Sequence, residues 1–539
     1  MSFQTVLQVL GGVALLIYGI KIMGEALQEL AGDRLRRLIS SLTGTPLRGV
    51  AVGALVTMII QSSSATTVMV VSFVHVGLMT LTQAVGVIMG ANIGTTITAQ
   101  LMAFSIKKYA IIGAIIGAGL SILGKNRRHK QLGAGLVGFS LLFIGMGMMQ
   151  NAMSFLEGRQ ELFLPFREHL ILAVLAGTIV TMLVQASAAT VGLTMAMASQ
   201  GLIPLDVAIA IIFGDNIGTT ITAVLASLGG NRAAKQAATA HVMFNVIGTS
   251  VMMLLISPFS KLVMLTSHDI GRQVANAHSI FNILNTCMFL PFVRPYAAFI
   301  QRLVPNKETM PEHGARFLDR NLIESAPAAA IDAVRKEMVR MGKIAYDMLL
   351  GCRKAILERD DKIVPELLQT EKMINALTYD IVNYATELGQ KGLSPDLALI
   401  LNSCIGGVGD IERMGDHGEN LLEMSQFLAD KGQILTPKAH AECEEMFDLV
   451  LEAVLLSIQS VENEDIKTAQ QVMDLEPKID QMEKTLRFRH IERLNTGECN
   501  PSSGVVFIDI LSNLERVGDH AHNVACITKD IDRIRKGMI

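Results

Sequence analysis

From Gly49 to Ser105 the chain carries no Asp, Glu, Lys or Arg, and this run limits its possible folds more than any other feature. A water-soluble domain cannot surround so long a stretch with solvent, whereas a bilayer accommodates it. The rest of the charge is divided accordingly. Of the 95 charged residues, 27 fall in residues 1–300 and 68 in residues 301–539. A membrane half is therefore followed by a soluble one. The net charge of -3 conceals this division, and the basic residues sit in short clusters between apolar spans, so nothing indicates nucleic acid as a partner. Cys287, Cys352, Cys404, Cys443, Cys499 and Cys526 form no CxxC pair and read as reduced thiols. Met1–Met23 is apolar without a basic leader, which fits a retained first transmembrane helix.

The membrane half repeats itself. QSSSATT at Gln61–Thr67 returns as QASAATV at Gln185–Val191, and GANIGTTITA at Gly90–Ala99 returns as GDNIGTTITA at Gly214–Ala223, both 124 residues on. LLIYGIKIM at Leu15–Met23 returns as LLFIGMGMM at Leu141–Met149, 126 residues on. Each motif thus keeps its place in a unit of about 125 residues.

The arms on either side of QSSSATT, Gly49–Ile60 and Val68–Met79, hold 12 residues each, about 18 Å of helix. Neither crosses a core of about 30 Å. Two half-length helices meeting at a polar tip describe a re-entrant hairpin, and Leu170–Ser199 reads the same way. Full crossings are then expected at Val6–Leu27, Leu81–Ala103 and Tyr109–Leu123. Three is odd, so the second copy should run inverted, with a seventh crossing near His278–Ile300. With the N-terminus outside, the inner loops carry Arg34, Arg36, Arg37, Arg48, Lys125, Arg127, Arg128, Lys130, Arg232 and Lys235. The outer loops carry Lys107, Lys108, Arg159, Arg167, Lys261 and Arg272. That bias puts the C-terminal half in the cytosol.

A hairpin tip in a bilayer exposes unpaired N–H groups at a helix N-terminus, a ready anion site. The hydroxyls of Ser62, Ser63, Ser64 and Thr66, the amides of Gln61 and Gln185, and the hydroxyls of Ser187 and Thr190 can donate to an oxyanion such as phosphate without a permanent charge that would hold it too tightly. Ala186 and Ala188 stand opposite Ser62 and Ser64. The structural alternative is that these residues only cement helix packing. Asn92, Thr95 and Thr96, with Asn216, Thr219 and Thr220, lie beside paired glycines; unwinding there would free carbonyls to join neutral oxygens suited to a small alkali cation such as sodium. Close packing is again the alternative. Asp215, the lone carboxylate of this region, is a sodium ligand or proton carrier on the same reasoning, or else an ion-pair partner of Lys235 or Arg232. His241 with Asn245 and His278 with Asn282 repeat AHxxFN, read as interhelical hydrogen bonding.

QSSSAT-type tips paired with GxNIGTT segments, in duplicate, resemble the bacterial branch of the type II sodium/phosphate cotransporter family over about residues 5–300. The resemblance implies sodium-coupled phosphate transport, with phosphate held between the two tips, sodium sites nearby and an elevator-like alternating-access cycle.

Beyond Asp319 the spacing is helical and a second repeat appears: IERMGDHGEN at Ile411–Asn420 returns as LERVGDHAHN at Leu514–Asn523. Glu412 and Asp416, like Glu515 and Asp519, share a helix face at i, i+4 and can hold a hard metal; pairing with Arg413 and Arg516 is the alternative. The pattern resembles the PhoU family, whose ExxxD motifs on paired three-helix bundles bind metal. Glu476 and Asp480 match a further ExxxD, while Glu371 is followed by Asn375 in its place.

The expectation is an all-α, polytopic protein of two inverted repeats, each with a re-entrant hairpin, followed by a soluble PhoU-like pair of three-helix bundles. Residues 1–130 form the first repeat and 131–304 the second with the final helix; 305–318 link them to a cytosolic 319–539. It would be a multi-pass protein of the inner (plasma) membrane, working with sodium and a divalent or ferric ion, with a homodimer as a candidate assembly. Alternatives are a sodium-coupled carrier of another small oxyanion and a membrane-anchored signalling protein. No nucleophile–base pair or phosphate-binding glycine loop suggests an enzyme.

Overall fold

The computed structural model describes residues 3–31, 45–104, 109–153, 160–228, 230–305 and 314–538. Arg34, Arg36, Arg37, Lys107, Lys108 and Arg159 lie outside the described residues. The chain divides into two compact units, Met1–Glu308 and Thr309–Ile539, and the described residues are helical with no strand.

In the first unit, α1 (Phe3–Ala31) is followed by α2 (Pro46–Ile60) and α3 (Ser63–His75), then α4 (Leu81–Met102), α5 (Ala110–Leu123) and α6 (Arg127–Met153). The pattern returns as α7 (Leu170–Val184), α8 (Ser187–Ser199), α9 (Leu205–Gly218), α10 (Ile221–Ser227) and α11 (Arg232–Leu254), then α12 (Ile256–Met264), α13 (Ile270–Phe289) and α14 (Val293–Leu303). Among the described residues six helices are long and apolar enough to cross a membrane: Gln4–Leu30, Leu81–Met102, Arg127–Met153, Leu205–Ser227, Arg232–Leu254 and Ile270–Leu303. On α5, Ile111, Ile112, Ile115 and Ile116 are all exposed, an apolar surface that suits lipid.

The hairpins are broken where the sequence changes character. At 15 and 13 residues, α2 and α3 reach about 22 and 20 Å. Pro46 opens α2 at a position that needs no N–H, and Gln61 ends it in the left-handed region (φ 59°). Ser62 then returns to extended backbone and caps α3, its Oγ accepting from the Ala65 N–H at 3.1 Å. The second hairpin turns the same way at Gln185 (φ 55°), but Ala186 offers α8 no side-chain cap.

Glycines set the packing. A Cβ on Gly90 would lie 2.0 Å from the Val50 carbonyl oxygen, and one on Gly214 1.9 Å from that of Val174. Gly94 and Gly218 likewise face the Ala54 and Thr178 carbonyls at 2.5 Å. Contacts pairing 50 with 90 and 54 with 94 make α2 and α4 parallel neighbours, and α7 and α9 match them. α1 and α6 run antiparallel, since Gly12 meets Gly145 and Gly19 meets Gly138.

Two expectations change. The glycines of GxNIGTT do not unwind α4, which is continuous through Gly90, Gly94, Thr95 and Thr96; they admit a neighbouring backbone. Only the second copy breaks, at Thr219–Thr220 between α9 and α10. The crossing expected at Tyr109–Leu123 is a helix of 14 residues, about 21 Å, and is not among the six long spans. Its counterpart α11 has 23 residues.

The second unit opens with the short α15 (Arg320–Ser325) and consists of two three-helix sets: α16 (Pro327–Leu357), α17 (Val364–Gly389) and α18 (Pro395–Asp430), then α19 (Pro437–Asn463), α20 (Ile466–Asn495) and α21 (Pro501–Arg535). Buried Glu337 accepts from the main-chain N–H groups of Arg316 and Phe317 at 2.8 and 2.7 Å and pairs with Arg340, anchoring the start of this unit. All six cysteines are free.

Candidate functional site

A cavity of about 270 Å³ lies between the two hairpin tips. Its walls include Gln61, Ser62, Ser63 and Ser64 from the first tip and Gln185, Ala186, Ser187 and Ala188 from the second, with Thr95 and Thr98 from α4. Six of the eight tip residues singled out by sequence thus share one space. The other two stand behind it. Thr66 accepts from the Thr57 hydroxyl at 2.9 Å and donates to the Ser62 carbonyl at 3.1 Å, while Thr190 and Thr181 bond at 2.8 Å. In each copy a threonine pair therefore ties the two arms of the hairpin together.

The tips are not equivalent. The Gln61 amide is engaged within the protein: its Oε1 accepts from Thr98 at 2.8 Å and its Nε2 donates to the Met58 carbonyl. Gln185 is exposed and its side chain makes no hydrogen bond among the described residues. α8 has no side-chain cap; the Ala189 N–H turns to the Ala186 carbonyl at 3.0 Å, and the N–H groups of Ser187 and Ala188 head the helix without a capping side chain.

The residues expected to bind sodium fall into separate groups. Asp215 is buried, accepts from the Thr181 hydroxyl at 2.8 Å through Oδ1, and leaves Oδ2 without a partner among the described residues. Among the described residues it makes no ion pair, so the pairing with Lys235 or Arg232 is not found. Asn92 donates to Asn245 at 2.9 Å, and His241 Nε2 lies 3.3 Å from Asn92 Oδ1. Asn216 donates to the Ile212 carbonyl at 2.8 Å. The hydroxyls of Thr96, Thr219 and Thr220 donate to carbonyls in their own turns, those of Ile93, Asp215 and Ile217.

Some cavity residues escaped the sequence reading. Behind the cavity, Thr57 and Thr181, the partners of Thr66 and Thr190, are themselves 124 residues apart, a signal that was there to be read. Lys21 and Glu25 also line the cavity and stand 3.9 Å apart on α1, so a permanent charge does face the site. His278 is a cavity residue with neither ring nitrogen bonded among the described residues, where an interhelical bond was expected of it.

In the second unit the carboxylates of Glu476, Asp480 and Asp519 approach within 4.8 Å of one another. Burial, then the neighbouring Asp480, pushes the Asp519 carboxyl above the usual range; burial, then Asp519 and Asp480, does so for Glu515. Hard oxygens crowded in this way suit a divalent or ferric ion. Glu515 is not part of the close group. In the other bundle Arg413 pairs with Asp416 at 3.1 Å and Glu412 at 3.8 Å, and Glu371 is bonded to Asn375.

Comparison with known proteins follows the same division. The family described as Na+/Pi-cotransporter matches residues 15–151 and 155–290, and the one described as PhoU domain matches residues 338–425 and 443–528. A Salmonella typhimurium protein named "Putative inorganic phosphate export protein YjbB" is 25% identical over 535 residues, covering 97% of each chain. The Bacillus subtilis "Uncharacterized protein YqeW" is 30% identical over 239 residues, 44% of this chain and 77% of its own. The crystal structure of PhoU from Pseudomonas aeruginosa covers 39% of this chain and 98% of its own, at 20% identity and a TM-score of 0.36.

Proposed function

The chain belongs to the Na+/Pi-cotransporter family and carries PhoU domains, and from that premise we propose that it moves inorganic phosphate across the membrane by sodium-coupled alternating access. The observation that carries this reading is the single cavity walled by both tips. Phosphate there meets hydroxyls at Ser62, Ser63, Ser64 and Ser187, the Gln185 amide and the open N-terminus of α8, while Gln61, Thr66 and Thr190 hold the tips in shape.

Sodium is assigned first to Asp215. Its free Oδ2, with the Thr181 and Thr190 hydroxyls beside it, supplies the hard oxygens such an ion requires. Asn92, Thr95, Thr96, Asn216, Thr219 and Thr220 are assigned to sodium more broadly. The antiparallel α1 and α6, equivalent helices of the two copies, support an inverted repeat. A second cavity of about 160 Å³, lined by Gln150, Ser199 and Asp269, shares Met102 with the first. A methionine between two cavities is the arrangement expected of a site open to one side at a time. The basic clusters support an inner-membrane protein with a cytosolic C-terminal unit, which regulates transport and binds a metal at Glu476, Asp480 and Asp519, with Glu515 adjoining and Glu412–Asp416 a weaker counterpart.

Reconstituting the purified protein in vesicles and following labelled phosphate with and without a sodium gradient tests this reading. Sodium-dependent flux competed by arsenate but not sulfate is expected. Flux indifferent to sodium would remove the coupling, and preference for sulfate would favour another oxyanion as substrate.

A further inference from the structure

Two segments of the membrane unit share the pattern AHxxFN, at Ala240–Asn245 on α11 and Ala277–Asn282 on α13. Both are built alike. The asparagine reaches back one turn and donates to the histidine's own carbonyl, Asn245 to His241 at 3.1 Å and Asn282 to His278 at 2.9 Å. The two imidazoles are then used differently. His241 meets Asn92 across the helix interface. His278 is only 1% exposed, yet neither of its ring nitrogens has a hydrogen-bond partner among the described residues. Of the two, only His278 lines the cavity that holds both hairpin tips.

Leaving a buried polar group unpaired is costly, and at His241 one of the two ring nitrogens, Nε2, has a partner in Asn92 while Nδ1 has none among the described residues. A neutral imidazole always keeps one N–H donor. At His278 that donor stands in the wall of a cavity where the two tips present hydroxyls and amides that suit an anion, with the Lys21–Glu25 pair and apolar side chains making up much of the remaining wall. We propose that His278 is a direct phosphate contact contributed from outside the two hairpins, its ring N–H donating to a phosphate oxygen. This rests on the assignment of phosphate to the cavity between the tips.

The test uses the full chain, purified, with labelled inorganic phosphate at saturating sodium. His278→Ala should weaken phosphate binding by at least tenfold, the effect of losing one hydrogen bond to an ion. Sodium binding measured without phosphate should stay within about twofold of the unaltered protein. His278→Gln, which keeps a donor, should recover part of the loss. A folded His278→Ala protein with unaltered phosphate affinity would overturn the proposal. So would equal loss in both variants together with a lowered melting temperature, which marks a purely structural histidine. If neither variant folds, deuterium exchange at the His278 ring carbon decides with the unaltered protein: phosphate should slow it, and unchanged exchange while phosphate is bound overturns the contact. Absence of phosphate binding by the unaltered protein would instead refute the underlying transport reading.

Discussion

Alanine at Gly90 or Gly214 tests why glycine stands in the GxNIGTT segments. The added methyl would sit 2.0 Å from the Val50 carbonyl oxygen in one copy and 1.9 Å from that of Val174 in the other. Both obstacles are helix backbone, which cannot rotate aside as a side chain can, so α2 must move from α4, or α7 from α9, by more than an ångström. Overpacking of this kind costs about 1–3 kcal/mol, sometimes more. In domains of a couple of hundred residues each kcal/mol lowers the melting temperature by roughly 2–4 °C. Gly119 and Gly147 are the controls, because a Cβ at either meets nothing within 4 Å. Alanine there should be neutral, or stabilising by roughly 0.5–1 kcal/mol through helix propensity. The assay is thermal melting of detergent-purified variants, run beside sodium-dependent phosphate binding. Gly90→Ala and Gly214→Ala should melt several degrees below the unaltered protein and both controls should not. Variants that melt normally but lose sodium dependence would refute the packing argument and restore the idea that these glycines serve an unwound ion site.

Gln61→Gly and Gln185→Gly keep the left-handed turn, which glycine adopts without strain, while removing the amide; melting should be unchanged or higher for Gln185, whose amide is free, with a strong fall in phosphate flux, and lower for Gln61, which loses its bonds to Thr98 and Met58. Equal flux would show that the tip acts through its backbone alone. Asp215→Asn should raise the sodium concentration for half-maximal phosphate binding at least tenfold, and an unchanged sodium titration would remove Asp215 from the sodium site. In the second unit Glu515 and Asp519 are held above the ordinary carboxylate pKa of about 4. They therefore bind protons more tightly folded than unfolded, so without metal this unit loses stability as pH rises through that window. Metal competes with those protons, so metal retained after dialysis, measured by mass spectrometry, should fall as the pH is lowered from neutrality and be lost in Asp519→Asn. Metal content independent of both would place the ion elsewhere.

Much of this architecture was legible because it is written twice. The offset of 124 residues located both hairpins, and the half-length arms followed from counting residues to Gln61 and Gln185. What stayed hidden depended on contacts between distant segments. A glycine beside a threonine reads equally as a hinge or as a packing notch, and only the Val50 and Val174 carbonyls decide between them. Thr98 and Lys21 reach the site through helix packing that no local motif announces. The difference between His241 and His278 is invisible in two copies of AHxxFN, because it lies in what each ring faces. In the soluble unit, spacing correctly put Glu515 and Asp519 on one face, but the crossing of α20 and α21 decides that Asp519, rather than Glu515, joins Glu476 and Asp480.

The central claim is that one cavity between two tips carries phosphate at the expense of a sodium gradient. Uptake of labelled phosphate by vesicles containing only the purified chain, with sodium outside and then with potassium substituted for it, measures this directly. Accumulation above equilibrium with sodium, its collapse with potassium, and its loss in Ser63→Ala with Ser187→Ala are the predicted results. Accumulation that persists in potassium, or survives loss of both serines, would contradict the account.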